Sequence, residues 1–217
     1  MRTKLGTCFM IVGILLVLSA VGLLVYNQWE AGQARKSTEE IMPQMLAEIE
    51  VRKQEKESLP QTPSQELENI MQEHLPALTQ PPVEEMEEVI IEGNGYIGYL
   101  SIPVLELDLP VMGDWSYPKL KKAACRYVGT VAGDDLVIMA HNYEYHFGRL
   151  DELSPGDMVF FTDTEGSIVL YEVIMRDILN PTAIEEMTAG TFDLVLFTCT
   201  YGGQSRVTVY CDRVQAE

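Results

Sequence analysis

Leu194-Val195-Leu196-Phe197-Thr198-Cys199, and beyond a Gly202-Gly203 reversal Arg206-Val207-Thr208-Val209-Tyr210-Cys211, is the stretch on which the reading of this chain turns. Both runs are rich in branched and aromatic residues, which fit a pleated, half-buried surface. Two adjacent glycines suit a tight reversal. Setting Cys199 opposite Arg206 pairs Phe197 with Thr208, Val195 with Tyr210, Leu196 with Val209 and Leu194 with Cys211. Side chains alternate faces along a strand. One face then holds Leu194, Leu196, Val207, Val209 and Cys211 and reads as core. The other holds Val195, Phe197, Cys199, Arg206, Thr208 and Tyr210 and reads as the floor of an amphipathic groove. A slip of one residue separates Cys199 from Arg206 and buries neither set cleanly.

That register puts a thiol beside a permanent cation at a strand end. His141 ends another apolar run, Asp135-Leu136-Val137-Ile138-Met139-Ala140. A cysteine nucleophile, a histidine that gives and takes a proton, and an arginine facing a developing oxyanion make up an acyl-transfer site. Spacing alone leaves open an inert strand-end thiol and a surface arginine. Among the other candidates, Cys8 falls in an apolar run, Cys125 has no partner at metal-ligand spacing, and Cys211 falls on the core face. His146 competes with His141 but reads as part of a solvent-facing loop, and His74 reads as solvated. The pair His141 and His146, with Glu144, is not spaced to align metal ligands on a strand, so no metal is expected. Arg126 and Arg213 are weaker rivals to Arg206.

Ala140-His141-Asn142, Leu196-Phe197-Thr198-Cys199 and Ser205-Arg206-Val207-Thr208-Val209, with Tyr96-Ile97-Gly98-Tyr99-Leu100-Ser101-Ile102-Pro103 as a first strand, resemble the sortases, membrane-anchored cysteine transpeptidases of mostly Gram-positive bacteria. The resemblance spans residues 93 to 217. The family often has Thr-Leu-x-Thr-Cys, and Val195 stands here in place of the first Thr. Thr198-Cys199-Thr200-Tyr201 resembles class B members, and Leu153-Ser154-Pro155-Gly156-Asp157 resembles class D. The resemblance implies catalytic roles for Cys199, His141 and Arg206 and no cofactor. It implies cleavage of an LPxTG-like sorting signal on a secreted protein after its Thr. The acyl group would pass through a thioester to an amine of a peptidoglycan precursor or a pilin lysine. An extracellular cysteine peptidase and a non-catalytic membrane-tethered binding module are the competing readings.

Further apolar or alternating runs cover Tyr96 to Ile102, Leu105 to Met112, Leu136 to His141, Met158 to Thr162 and Ile168 to Ile178. Turn signals separate them at Pro155-Gly156-Asp157, Glu165-Gly166 and Asn180-Pro181. Short regular strands of this kind predict a mostly β domain, a closed barrel or a sandwich. Short helical pieces are predicted near Tyr117 to Ala123, Phe147 to Leu153 and Ala183 to Met187. The resemblance narrows the choice to a closed barrel of about eight strands. No loop shows a calcium-ligand pattern.

The N-terminal part has a different character. Leu5 to Tyr26 carries no charged side chain, and a helix of that length spans about 33 Å, enough to cross a bilayer. The apolar run continues past Ser19-Ala20-Val21-Gly22, which favours an uncleaved anchor over a signal peptide. Arg2 and Lys4 precede the span, which predicts a cytoplasmic N-terminus and an extracellular remainder. Residues 1–26 therefore read as an anchor, 27–92 as an acidic tether and 93–217 as a catalytic domain. Ile41, Met45 and Ile49 recur at helical spacing in the tether. Its charge and the later prolines (Pro60, Pro63, Pro76, Pro81 and Pro82) favour a solvated spacer over a docking segment. The net charge of −18 argues against nucleic-acid binding.

Overall fold

A computed structural model describes residues 2–58, 86–200 and 202–215, with side chains of the first helix described from Phe9 to Lys56. The proline-rich half of the expected tether, with His74, lies outside the described residues, as does the side chain of Cys8.

Nine strands follow one long helix: β1 (Val89–Ile91), β2 (Asn94–Ile102), β3 (Leu107–Met112), β4 (Ala124–Val128), β5 (Leu136–Met139), β6 (Met158–Asp163), β7 (Ile168–Leu179), β8 (Leu194–Cys199) and β9 (Arg206–Arg213). The order β2-β3-β4-β5-β8-β9-β7-β6 closes through β2–β6 pairing into an eight-stranded ring. β1 lies beside the start of β2, outside that ring. Two pairings are parallel, β3 with β4 and β5 with β8, so the barrel is mixed. At the closing seam Gly98 has φ +144°, and a Cβ there would overlap the carbonyl of Thr162. Only glycine fits that approach. The predicted short helices are α2 (Tyr117–Leu120), a 3-10 turn at Leu150–Glu152 and α3 (Ile184–Met187).

The barrel lumen is a single apolar cluster to which all eight ring strands contribute. Leu100, Leu109, Ile138, Phe161, Leu196 and Val209 are fully buried in it. The predicted core face of the last two strands belongs to this cluster without exception: Leu194, Leu196, Val207, Val209 and Cys211. Phe147, Leu150 and Leu153, from the loop after His141, fill the same cluster.

The expectation of a solvated spacer does not hold for the segment after the apolar span. Helix α1 (Arg2–Ser58) is continuous. In its second half Ile41, Met45 and Ile49 are buried in an outer cluster with Val89, Ile91, Tyr96, Met112 and Cys125. Propensity opposes this helix: Gly32 and Pro43 cost about 1 and about 3 kcal/mol relative to alanine. Burying three large apolar side chains contributes about 1.5–3 kcal/mol each and outweighs that. The ion pairs of α1 with Lys121, Glu87 and Glu165 each have at least one exposed partner. Such pairs are worth about 0–1 kcal/mol each, so the apolar stripe decides the docking.

Candidate active site

Of the three residues singled out from sequence, Cys199 ends β8, Arg206 begins the neighbouring β9, and His141 follows the end of β5 on the other side of β8. Cys199 pairs with Arg206 across β8 and β9, and the pairs Phe197–Thr208, Val195–Tyr210, Leu196–Val209 and Leu194–Cys211 follow the expected register. On the other side of β8, Met139 of β5 pairs in parallel with Phe197. The Ala140 amide donates to the Phe197 carbonyl (3.3 Å), and the buried Thr198 hydroxyl donates to the Ala140 carbonyl (2.8 Å). His141 stands two residues beyond Met139, and Cys199 two residues beyond its partner Phe197, so both lie past the same end of the β5–β8 pairing.

Alternation assigns the face. Leu136, Ile138 and Ala140 enter the lumen, as do Leu194 and Leu196 and also Val207 and Val209. The intervening series, 137-139-141, 195-197-199 and 206-208-210, belong to the outer face. His141, Cys199 and Arg206 thus come together at one end of the barrel wall, and all three are half-buried. The turn is closed by Thr200 N–H to the Ser205 carbonyl (2.9 Å) and Gly203 N–H to the Thr200 carbonyl (2.8 Å). Gly202 and Gly203 take φ of +83° and +71°. The Arg206 guanidinium reaches the carbonyls of Gly203 and Ser205 only at 3.5 and 3.3 Å.

The rival arginines are engaged elsewhere. Arg126 Nε donates to the Gly113 carbonyl at 2.7 Å. Arg213 donates to the Val131 carbonyl at 2.6 Å and pairs with Asp134 at 2.8 Å. Cys125 and Cys211 are unpaired, buried thiols in different clusters, the first outside the barrel and the second in its lumen. Burial pushes the Cys125 thiol up to about 12 and the Cys211 thiol higher still. Neither is a nucleophile at neutral pH.

Two expectations need correction. The face read as an open groove floor is mostly covered. Val195, Phe197 and Tyr210 are buried with Val137, Leu179 and Met187, and Ala183 and Phe192 pack against them. The Asn180–Asp193 segment lies over this face because its own apolar residues need cover, and only the Cys199–Arg206 end stays accessible. The second correction concerns His146. It is fully buried, not in a solvent-facing loop. Neither of its ring nitrogens has a hydrogen-bond partner among the described residues. Burial, reinforced by His141, lowers its pKa to about 3.

Around His141 the structure adds residues that spacing did not reveal. The His141 ring stacks on Tyr143 at 4.8 Å and 29°. Tyr143 Oη donates to Glu30 Oε2 of α1 (3.3 Å), and Glu30 Oε1 accepts from Lys121 Nζ (2.6 Å). His141 is held below the ordinary histidine range. Burial is the main cause, Lys121 adds to it, and Glu30 opposes it. Tyr143 stands two residues from His141 and could have been suspected as an aromatic neighbour. Glu30 is more than a hundred residues away and carried no signal. Among the described residues no three of His, Cys, Asp and Glu are grouped closely enough to hold a metal ion.

A family model described as the sortase domain matches residues 100–214. Among solved structures, the chain is similar to sortase C1 of Streptococcus agalactiae, with 24% identity, a TM-score of 0.52, and coverage of 59% of this chain and 72% of that one. It is similar to a Streptococcus pneumoniae sortase C, at 22% identity and a TM-score of 0.51, over 83% of this chain and 97% of that one. A lid mutant of sortase A from Corynebacterium diphtheriae matches at 21% identity and a TM-score of 0.50, over 64% and 74%. These three likenesses are of fold. The search of curated proteins returned no match.

Proposed function

The chain belongs to the sortase family, and from that premise we propose that Cys199, His141 and Arg206 perform transpeptidation on an LPxTG-like sorting signal. The observation that supports this reading is the placement of His141 just past the end of β5, Cys199 at the end of β8 and Arg206 at the start of β9, all at one end of the barrel wall.

His141, held mostly neutral at pH 7 by its burial, accepts the Cys199 proton as the thiolate attacks the carbonyl carbon of the signal's Thr. The carbonyl π pair moves onto oxygen, and Arg206 donates hydrogen bonds to that oxyanion. Collapse breaks the C–N bond, and the His141 imidazolium gives its proton to the departing amine. A thioester to Cys199 remains. An acceptor amine then attacks the thioester, His141 removes its proton, and the thiolate leaves. The acceptor is an amine of a peptidoglycan precursor or a pilin lysine.

Helix α1 holds one segment long and apolar enough to cross a membrane, and residues 9–26 are exposed in the folded chain. We read that segment as a single-pass anchor. Arg2 and Lys4 keep the N-terminus in the cytoplasm, and the barrel stands outside. An anchored enzyme meets emerging secreted substrates and lipid-linked acceptors at raised local concentration.

The test uses full-length protein in detergent, because a fragment starting near residue 90 would strip Ile41, Met45 and Ile49 from the outer cluster. It is incubated with LPxTG-like peptides and with an oligoglycine, diaminopimelate or pilin-lysine amine. Amine-capped product, absent with Cys199→Ala, is the expected result. Hydrolysis alone, whatever amine is supplied, would make the protein a peptidase instead.

A further inference from the structure

Helix α1 is continuous from the apolar span to the barrel, so it sets the barrel's orientation as well as its distance from the membrane. The span ends at Tyr26, and Glu30 already touches Lys121 and Tyr143. Four residues of helix advance about 6 Å. At the other end of the contact, Lys56 pairs with Glu165 in the turn between β6 and β7. The run from Glu30 to Lys56 is about 39 Å of helix and follows the barrel from one end to the other. The end beside Glu30 is the one bearing His141, through its stack on Tyr143. The catalytic end is therefore the one nearest the membrane.

The surface at that end has the composition of a bilayer interface. Tyr26 and Trp29 are exposed on the helix, and Trp115 and Tyr117 are exposed on the barrel, 41% and 73% accessible. Trp115 packs at a tilt against Tyr127, and Tyr127 meets Phe197 edge to face, which ties this aromatic pair to the strand of Cys199. Amphipathic aromatic rings collect at headgroup depth. A group of basic residues accompanies these rings. Of the chain's 15 Lys and Arg, five lie in Arg35-Lys36 and in Lys119, Lys121 and Lys122. The opposite end carries Glu87, Glu88, Asp163 and Glu165 together with Arg52, Lys53 and Lys56. Lys121 and Lys122, with Lys119, place positive charge beside these rings, where anionic headgroups attract it.

We propose that the barrel rests its catalytic end on the bilayer, with Trp115, Tyr117, Lys121 and Lys122 contacting the headgroups of anionic phospholipids. The inference rests on reading α1 as an anchor, and it deepens that reading.

The chain has two tryptophans, which permits a direct test. Full-length Trp29→Phe, leaving Trp115 as the sole fluorophore, and Trp115→Phe, leaving Trp29, are reconstituted in phosphatidylglycerol-containing vesicles. Quenching by lipids brominated near the headgroup end of the acyl chain is measured for each. Comparable quenching of both tryptophans is the expected result. Quenching of Trp29 with none of Trp115 would leave the anchor standing and overturn the orientation. Quenching of neither would overturn both. Ligation assayed in the same vesicles reports separately on the chemistry, since neither tryptophan belongs to the catalytic set.

Discussion

The β8–β9 hairpin and the docked half of α1 are both amphipathic, yet they position the site by different means. The hairpin holds Cys199 and Arg206 through local pairing closed by a short turn, with its register fixed by alternating apolar residues. The helix reaches His141 only indirectly, by burying Ile41, Met45 and Ile49 on the barrel and placing Glu30 against Tyr143. The Cys199–Arg206 pair thus rests on short-range structure, and the setting of His141 rests on a contact between distant parts of the chain. The two regions should respond differently to perturbation.

The sharpest contrast comes from Arg206→Ala. Loss of an oxyanion donor lowers kcat by about 10²–10³, and helix docking should be untouched. Steady-state ligation kinetics beside hydrogen exchange of the full chain would show this. An equal loss of protection in α1 would mean that the regions are one unit.

Met45→Ala is the converse. Truncating a fully buried methionine costs about 2–5 kcal/mol. Amide exchange over residues 34–52 should quicken, while β8 and β9 keep their protection and Cys199 still reacts with a thiol reagent.

A smaller effect separates the His141 loop from both regions. His146 has a folded pKa of about 3, well below the unfolded value near 6.5. The unfolded chain therefore binds the proton first. The stability that goes with neutral burial is complete above pH 6.5 and is lost as pH falls toward 3, by about 1.4 kcal/mol per unit. Denaturant unfolding of His146→Leu should show a shallower loss between pH 6.5 and 5 than the parent, with a remaining slope from His141.

The smallest effect concerns Glu30→Gln. The charged and titratable groups about His141 are Glu30, Lys121, Tyr143 and His146, with Cys199 and Arg206 at the same end of the barrel. Removing the carboxylate leaves Lys121 unopposed and lowers the His141 pKa further. The acid limb of kcat/KM, where activity is lost as His141 gains a proton, should move to lower pH. An unmoved limb would cut the helix out of the site's electrostatics.

These contrasts explain what could be read in the chain. Seven of the nine strands, the hairpin register and the convergence of Cys199 with Arg206 follow from alternation and turn residues close in sequence. β1 and β4 escaped because they are short: Val89–Ile91 is three residues, and Ala124–Val128 carries Arg126 in its middle with a register shift after it. The docking of α1 escaped because its four-residue spacing was visible but its partner surface was not. Tyr96, Met112 and Cys125 come from three different strands, and the β2–β3 and β3–β4 pairings bring them together. His146 was misplaced because a histidine among Tyr145, Glu144 and Gly148 reads as polar loop, whereas Phe147 draws that loop into the lumen.

The most direct check on the site is the mass of the full-length protein after brief exposure to sorting-signal peptides without an amine, followed by peptide mapping. The expected result is a thioester-linked acyl group on Cys199 and on neither of the buried thiols, Cys125 and Cys211, which is discharged when an amine is added. An adduct at another residue, or none from any such peptide while the Cys199 thiol remains reactive, would contradict the assignment of His141, Cys199 and Arg206 as one catalytic set.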